Sequence, residues 1–482
     1  MQQKILLVGD PRICPQVAYV MDWQNFAMVE QLTDTDQYRD YKIVVCAFKK
    51  KSKRLVKIKD KTLDIIYLDD ICRELDAEEQ RTTLSPKSTT DKKVPLWRRI
   101  FDRIKAREVG LAIIRSLKRP VTLRNFKIIN QLPLRSLRWS EVFIKVLYSR
   151  PTNIICDRLE RLAYLNFDGN VFGCCPYWVM PYGNVKDRDL TNLYNGVLAR
   201  IIKLSSLNRS YCLCKLQACE FAKYAAAVRT MPEQLGTADH PQELVVAIDR
   251  TCNLKCPSCR REYYTKLDDT EEQTAKRMLD ELKNTGWLKK SELLNVAGDG
   301  EVFHSPIYRQ LLTADTQRKQ IHILTNGTLF NEQNWQLLKD KYERVGVSVS
   351  LDSASEATFK RLRGGDYQQL LKNLTMLSNL RQTGAIAFLE FRFVVQRDNY
   401  REIPAFVEFG KRFNADVLLY SRLNNWRSFT EKEYRRKSLI IKNKYLTREL
   451  YAVLQDPILC DPIVDLTAFQ PYLNASAKRN DE

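Results

Sequence analysis

The chain has 482 residues, 78 Lys and Arg against 58 Asp and Glu, and a formal net charge of +20. It carries thirteen cysteines but only three histidines, His240, His304 and His322, which nearly excludes a zinc enzyme built on a histidine triad. A hydrophobic content of 44% and a charged content of 28% are ordinary for a globular protein, and the length provides for roughly two to four domains.

Residues 5–8 are too short for the apolar core of a signal peptide, and no run approaches the roughly 18 apolar residues of a membrane span. The expectation is a cytoplasmic protein without a membrane span, in a compartment where thiols stay reduced. Thirteen cysteines there point first to metal or cluster ligation.

In chain order, the apolar runs 5–8, 43–47 and 65–68 read as strands of a small Rossmann-like α/β domain over 1–75. The first turn, Gly9-Asp10-Pro11, lacks the glycine pattern of a dinucleotide site. Residues 76–94, rich in Ser, Thr, Lys and Glu, read as a linker. Residues 95–150 hold fourteen Lys/Arg and three acids, +11 of the +20, interleaved with Trp97, Phe101, Phe126 and Trp139. This basic amphipathic helical segment either docks an acidic partner, a phosphorylated substrate or an anionic surface, or forms a solvated face.

The cysteines divide into three groups. Cys14, Cys46, Cys72 and Cys460 are scattered and read as small buried hydrophobes. Cys156, Cys174, Cys175, Cys212, Cys214 and Cys219 cluster within 151–230. Cys252, Cys256 and Cys259 form a CxxxCxxC, whose three thiolates suit three irons of a cubane and leave the fourth open. Zinc is the competing ligand there, but a tetrahedral site lacks a nearby fourth donor.

From 243 onward, strand-like runs at 244–248, 293–297, 321–324, 345–351, 386–395 and 417–420 alternate with helical patterns at 270–284, 306–317, 332–341, 366–382 and 402–413. Six β/α units imply a parallel sheet with right-handed crossovers, and polar loops after the strands mark the active end of a β/α barrel. A C-terminal helical extension, 426–482, follows.

These motifs together resemble the radical S-adenosylmethionine (SAM) superfamily, over about 243–420 of this chain. The CxxxCxxC follows the first strand, where the family binds a [4Fe-4S] cluster with SAM. Gly298-Asp299-Gly300-Glu301 is similar to the family's GGE motif at the SAM amino group. Thr325-Asn326-Gly327 is similar to its TNG turn, and Ser350-Leu351-Asp352 to its ribose-contacting S-x-D. Arg363 matches an arginine near the SAM carboxylate. Ser258 departs from the aromatic residue often found before the third cysteine, leaving Tyr263 or Tyr264 to meet the adenine.

Upstream, Cys156-x12-Gly169-x4-Cys174, then Gly183-Asn184 and Cys212-x-Cys214-x4-Cys219, resembles a SPASM or twitch auxiliary-cluster extension, here placed before the barrel. The resemblance implies a second [4Fe-4S] cluster on Cys156, Cys174, Cys214 and Cys219, with Cys212 an alternate; zinc on the same thiolates is the alternative. The implied fold is an α/β protein. A small N-terminal α/β domain and a SPASM/twitch-like segment (151–230) precede a partial (β/α)6 radical SAM barrel (240–425).

The implied activity is reductive cleavage of SAM by an external one-electron reductant and hydrogen abstraction from substrate, a peptide or protein first. The alternatives are dehydrogenation of a carbohydrate or small metabolite, or an iron–sulfur protein that modifies or binds RNA. Glu390 and Arg392, alternating with apolar neighbours on the fifth strand, are candidate catalytic groups or a buried ion pair.

Overall fold

The computed structural model describes residues 4–8, 12–21, 26–29, 41–46, 65–83, 138–154, 156–175, 180–216, 219, 239–296, 300–314, 320–426, 428–441 and 444–480. It divides into two compact units. One comprises Met1–Glu160 with Phe172–Thr237, the other Arg161–Val171 with Ala238–Glu482.

The first unit contains a four-stranded parallel sheet in the order Phe26–Val29, Lys4–Val8, Tyr41–Val45, Ile65–Tyr67. Leu6, Leu7, Val8, Val44 and Val45 are fully buried, so the strands read as continuous apolar runs. The strand Phe26–Val29 escapes sequence reading because only four residues carry its pattern.

The helix Leu68–Thr83 runs through the first part of the expected linker. Ile71, Cys72 and Leu75 bury one face, while Asp76 and Glu79 accept hydrogen bonds from the backbone N–H of Ser140 (3.2 Å) and Trp139 (3.0 Å). The polar composition of 76–83 thus serves to cap the next helix, Trp139–Tyr148, rather than to keep a linker solvated. Residues 84–94 and 95–137 lie outside the described residues. The described end of the basic segment is a core helix: Trp139, Val142, Phe143, Ile144, Val146 and Leu147 are buried, and Lys145 is only 9% exposed. Cys14, Cys46 and Cys72 are buried in this unit as expected.

The second unit is built on six parallel strands, Glu243–Ala247, Leu293–Val296, Gln320–Thr325, Arg344–Ser350, Phe388–Val395 and Val417–Arg422. They are adjacent in chain order. Register follows directly, with His322 beside Gly346, Ser348 beside Glu390 and Ser350 beside Arg392. Burial alternates strictly along Gln320–Thr325 and Phe388–Val395. One face packs on the helices, where Phe391, Phe393, Phe406, Phe409 and Tyr420 form an aromatic core with ring centroids 4.9–6.3 Å apart. The other face carries His322, Ser348, Glu390 and Arg392.

Two further strands cover the edges. Leu162–Asn166 pairs in parallel with the first barrel strand, and Val464–Asp465 with the last. Residues 161–171, which the sequence assigns to the cysteine-rich segment, therefore group with the barrel. The C-terminal extension is helical over Glu431–Lys437, Arg448–Val453 and Gln470–Asn480, but it also supplies that edge strand and a short antiparallel pair.

Helix starts carry ordinary caps. Asp268 and Glu271 form a reciprocal capping box before Asp269–Asn284, and Ser305, Ser355 and Asp366 each accept from an N–H of the first turn. The expected helix 306–317 ends at Thr313, and of 332–341 only Glu332–Trp335 is α-helical, the rest being turns. Cys460 is exposed rather than buried: it ends the 3-10 turn Pro457–Cys460, whose buried residue is Leu459. Among the described residues, no helix is long and apolar enough to cross a membrane.

Candidate functional site

The first barrel strand leads into Asp249, which is fully buried. Its carboxylate accepts from the N–H of Thr251 (2.7 Å) and from the Ser305 hydroxyl, and Tyr308 OH donates to its carbonyl (3.1 Å). These bonds fix the direction in which the CxxxCxxC loop leaves the strand. Cys252 N–H donates to the Tyr264 carbonyl (2.8 Å), closing the loop, and Cys259 N–H to that of Cys256 (3.1 Å).

Cys252, Cys256 and Cys259 line one cavity at the C-terminal ends of the strands. Arg260, Tyr263, Gly300, Glu301, Leu324, Thr325, Asn326, Ser350 and Arg363 line it as well. Cys256 is buried, Cys252 intermediate and Cys259 exposed. Burial pushes the Cys252 thiol up to about 11 and raises that of Cys256, so a bound cation is what would favour their thiolates. Among the described residues, no three Cys, His, Asp or Glu donors converge as a ready-made site for one metal ion.

The motif after the second strand docks by close approach. A Cβ on Gly300 would lie 2.5 Å from the Thr251 carbonyl oxygen and 2.7 Å from that of Asp249, so only glycine fits. Glu301 N–H donates to Thr251 (2.8 Å). Its buried carboxylate accepts from Thr325 Oγ1 (2.6 Å) and Asn326 N–H (2.7 Å). Burial raises the Glu301 carboxyl, and these donors oppose the shift. Gly298 and Asp299 lie outside the described residues.

Asn326 ties the third strand to the cysteine loop. Its Nδ2 donates to Asn253 Oδ1 (2.9 Å) and lies 3.9 Å from Cys252 Sγ. Gly327 has φ of 79°, and its carbonyl and that of Thr328 accept from Asn373 Nδ2, each at 2.8 Å. Asn373 was not legible as a site residue, although a lone amide in the buried stripe of an amphipathic helix is a signal for such a clamp.

Asp352 adopts left-handed backbone, φ 61°. Its carboxylate accepts from Val394 N–H (2.7 Å) and pairs with Arg363 Nη2 (2.8 Å). It was expected at a ribose; in this structure it holds Arg363, and Ser350 is the member of the S-x-D pattern that lines the cavity. Arg363 Nη1 lies 3.9 Å from Cys256 Sγ. Burial opposes the guanidinium charge, but the Asp352 carboxylate favours it and holds Arg363 charged. Of the two tyrosines near the missing aromatic, Tyr264 is stacked under Arg250, 3.6 Å from its ring centroid, whereas Tyr263 is 46% exposed and lines the cavity.

The upstream cysteines lie in the first unit. Burial raises the thiols of Cys156, Cys174 and Cys214. Cys156 feels Cys174 and Cys219, Cys174 feels Cys219, and Cys214 feels all three. Cys212 also acts on Cys214, and Cys175 on Cys174. Arg158 opposes the rise at both Cys156 and Cys174. Tyr211, itself at φ 44°, accepts from Cys156 N–H (2.7 Å) and shapes the loop that presents Cys212 and Cys214. Nearby, Lys203 donates to the Tyr194 carbonyl (3.1 Å), and burial lowers its amine while raising Glu160.

Residues 246–410, the span holding the cysteine loop and the motifs after the next three strands, match the family described as the Radical SAM superfamily. The chain therefore carries a radical SAM domain. A curated relative, the antilisterial bacteriocin subtilosin biosynthesis protein AlbA of Bacillus subtilis (strain 168), is 30% identical over 150 residues, 30% of this chain. The match spans about a third, 32%, of that relative's length. Among solved structures, Streptococcus suis SuiB bound to precursor peptide SuiA aligns at 19% identity and a TM-score of 0.30, covering 38% of this chain and 40% of SuiB. TYW1 with a lysine-pyruvate adduct aligns at 16% identity and a TM-score of 0.30, covering 44% and 70%.

Proposed function

We propose that this chain is a radical SAM enzyme that modifies a peptide. The carrying observation is one cavity, inside the matched domain, that gathers the three cysteines, Glu301, the Thr325-Asn326 turn, Ser350 and Arg363 at the C-terminal ends of parallel strands. The donor set fits a [4Fe-4S] cluster with SAM: three cysteines with no fourth Cys or His among the described residues that line the cavity, and groups of both charges beside them. Cys252, Cys256 and Cys259 hold the cluster, which when bound supplies the electron that cleaves SAM to methionine and a 5′-deoxyadenosyl radical.

The chain's own residues position and exclude. Glu301, fixed by Thr325 and Asn326, offers negative charge to an amine, and Arg363, fixed by Asp352, offers positive charge to a carboxylate. Ser350 offers a hydroxyl, Tyr263 an aromatic face to a base. Leu254 and Leu324 add apolar surface to the lining and limit water there.

The peptide substrate rests on the bacteriocin-biosynthesis relative, a bacteriocin being a peptide product. The electron comes from an external reductant, and the chemistry belongs in a reducing, cytoplasmic setting. Cys156, Cys174, Cys214 and Cys219, with Cys212 an alternate, hold an auxiliary [4Fe-4S] cluster in a SPASM/twitch-like segment that precedes the barrel in the chain; the spacing Cys156-x12-Gly169-x4-Cys174 supports it. The basic segment 95–150, +11 of the net +20, is the candidate dock for an acidic partner. Anaerobic reconstitution, then dithionite and SAM, tests the enzyme reading: 5′-deoxyadenosine forms, and its absence with a full iron complement would refute it.

A further inference from the structure

Inside the barrel lies a polar chain that the SAM contacts leave unused. His322 Nε2 is 2.7 Å from Ser348 Oγ, Ser348 Oγ donates to Glu390 Oε1 at 2.7 Å, and Arg392 Nε donates to the same carboxylate oxygen. The direction of the chain is settled by chemistry. A carboxylate paired with a guanidinium only accepts, so Ser348 spends its proton on Glu390 and must accept from His322. His322 is therefore the Nε2–H tautomer. Burial and the Arg392 charge lower its pKa to about 4, with Glu390 opposing, so it is neutral near pH 7. Its Nδ1 faces Gly346, where a Cβ would approach within 2.7 Å.

This chain fixes Arg392 along its Nε edge only. Among the described residues, Nη1 and Nη2 have no hydrogen-bond partner, and the side chain is 34% exposed while Glu390 is 12% exposed. Arg392 pairs in register with Ser350, on the same sheet face, and Ser350 lines the SAM cavity. A guanidinium clamped on one edge and open on the other, next to a reaction cavity, is preorganised for a planar two-oxygen anion. Glu390 on the adjoining edge disfavours a dianion such as phosphate more strongly than a monoanion.

The geometry points to Arg392 as the anchor for a carboxylate of the substrate, with Glu390, Ser348 and His322 as positioning residues. Resting on the peptide reading above, it narrows the substrate to a peptide that presents an acidic side chain or terminus to the barrel interior.

The test uses the full chain with its clusters reconstituted and SAM present. N-acetyl-glutamate amide, N-acetyl-glutamine amide and glutarate are titrated by calorimetry. Blocked glutamate binds about tenfold or more tightly than blocked glutamine, the difference expected of a charge-assisted pair. Arg392→Gln abolishes the preference and Arg392→Lys keeps a smaller one. Glu390→Gln, which retains the acceptor for Nε and removes the competing charge, enlarges it; a purely structural ion pair predicts no such gain. Equal binding of the two blocked residues, or a preference that survives Arg392→Gln, would overturn the anchor. Glutarate separates the two readings: Arg392-dependent glutarate binding upholds the anchor even if no peptide is turned over, which would sink only the peptide assignment.

Discussion

Replacing Asp352 by asparagine isolates one charge in the most crowded part of the site. Asp352 is 2% exposed, and its partner Arg363 has a side chain 14% exposed. Asparagine tolerates the left-handed backbone at φ 61° and keeps an acceptor for Val394 N–H, so little but the charge is lost. What remains is a buried guanidinium without its counter-ion, and breaking a buried pair from one side costs about 3–5 kcal/mol. Because the Arg363 side chain stays 14% exposed and solvent reaches part of it, the lower end applies, about 3 kcal/mol. Asp352→Ala also forfeits the Val394 bond and the tolerance of positive φ, about 1 kcal/mol each, for about 5 kcal/mol in total.

Amide hydrogen exchange over Arg344–Ser350 and Phe388–Val395 reads the loss where it occurs. Exchange there accelerates about 150-fold in Asp352→Asn, the equivalent of about 3 kcal/mol. Adding Arg363→Met removes the stranded charge and recovers at least half of the loss. An acceleration below about tenfold in the single variant would refute the claim that Asp352 exists to hold Arg363.

The remaining predictions follow from the same geometry. Gly300→Ala forces a Cβ against two backbone carbonyls and breaks the Glu301–Thr251 bond, costing about 2–4 kcal/mol in denaturant unfolding of the barrel; a loss under about 1 kcal/mol would contradict the close approach. His322, with its folded pKa lowered to about 4 from 6.5, contributes stability that is complete above pH 6.5 and is lost as pH falls toward 4. The loss is on the order of 3 kcal/mol, and His322→Gln should flatten that part of the stability–pH curve. Alanine at Cys156, Cys174, Cys214 and Cys219 together should lower iron from about eight to about four per chain, while an unchanged count would exclude the auxiliary cluster.

The barrel was legible because each strand has alternating or continuous apolar residues and most of the longer helices a side-chain cap, so local and tertiary preferences agree. Of the residues that line the cavity, the three cysteines, Gly300, Glu301, Thr325, Asn326 and Ser350 were legible because they stand at or after strand ends, whereas Leu254 and Arg260 carried no signal of their own. What escaped depends on partners distant in sequence. Leu162–Asn166 reads as an ordinary short strand, and nothing in its five residues says that it pairs with Glu243–Ala247. Glu79 and Asp76 read as linker polarity because the N–H groups they satisfy come sixty residues later. The pairing of Asp352 with Arg363 was not legible, because an isolated carboxylate reveals nothing about a buried arginine folded back onto it. His322 was counted only as a scarce residue, since its tautomer is set by Ser348 and Glu390 on two other strands.

The central claim is that Cys252, Cys256 and Cys259 hold a cluster that cleaves SAM. Reconstituted protein given dithionite and SAM should release 5′-deoxyadenosine, and the triple alanine variant at these cysteines should release none while retaining the iron of the upstream site. Undiminished 5′-deoxyadenosine from the triple variant, or none from the native chain carrying its full iron, would contradict the account.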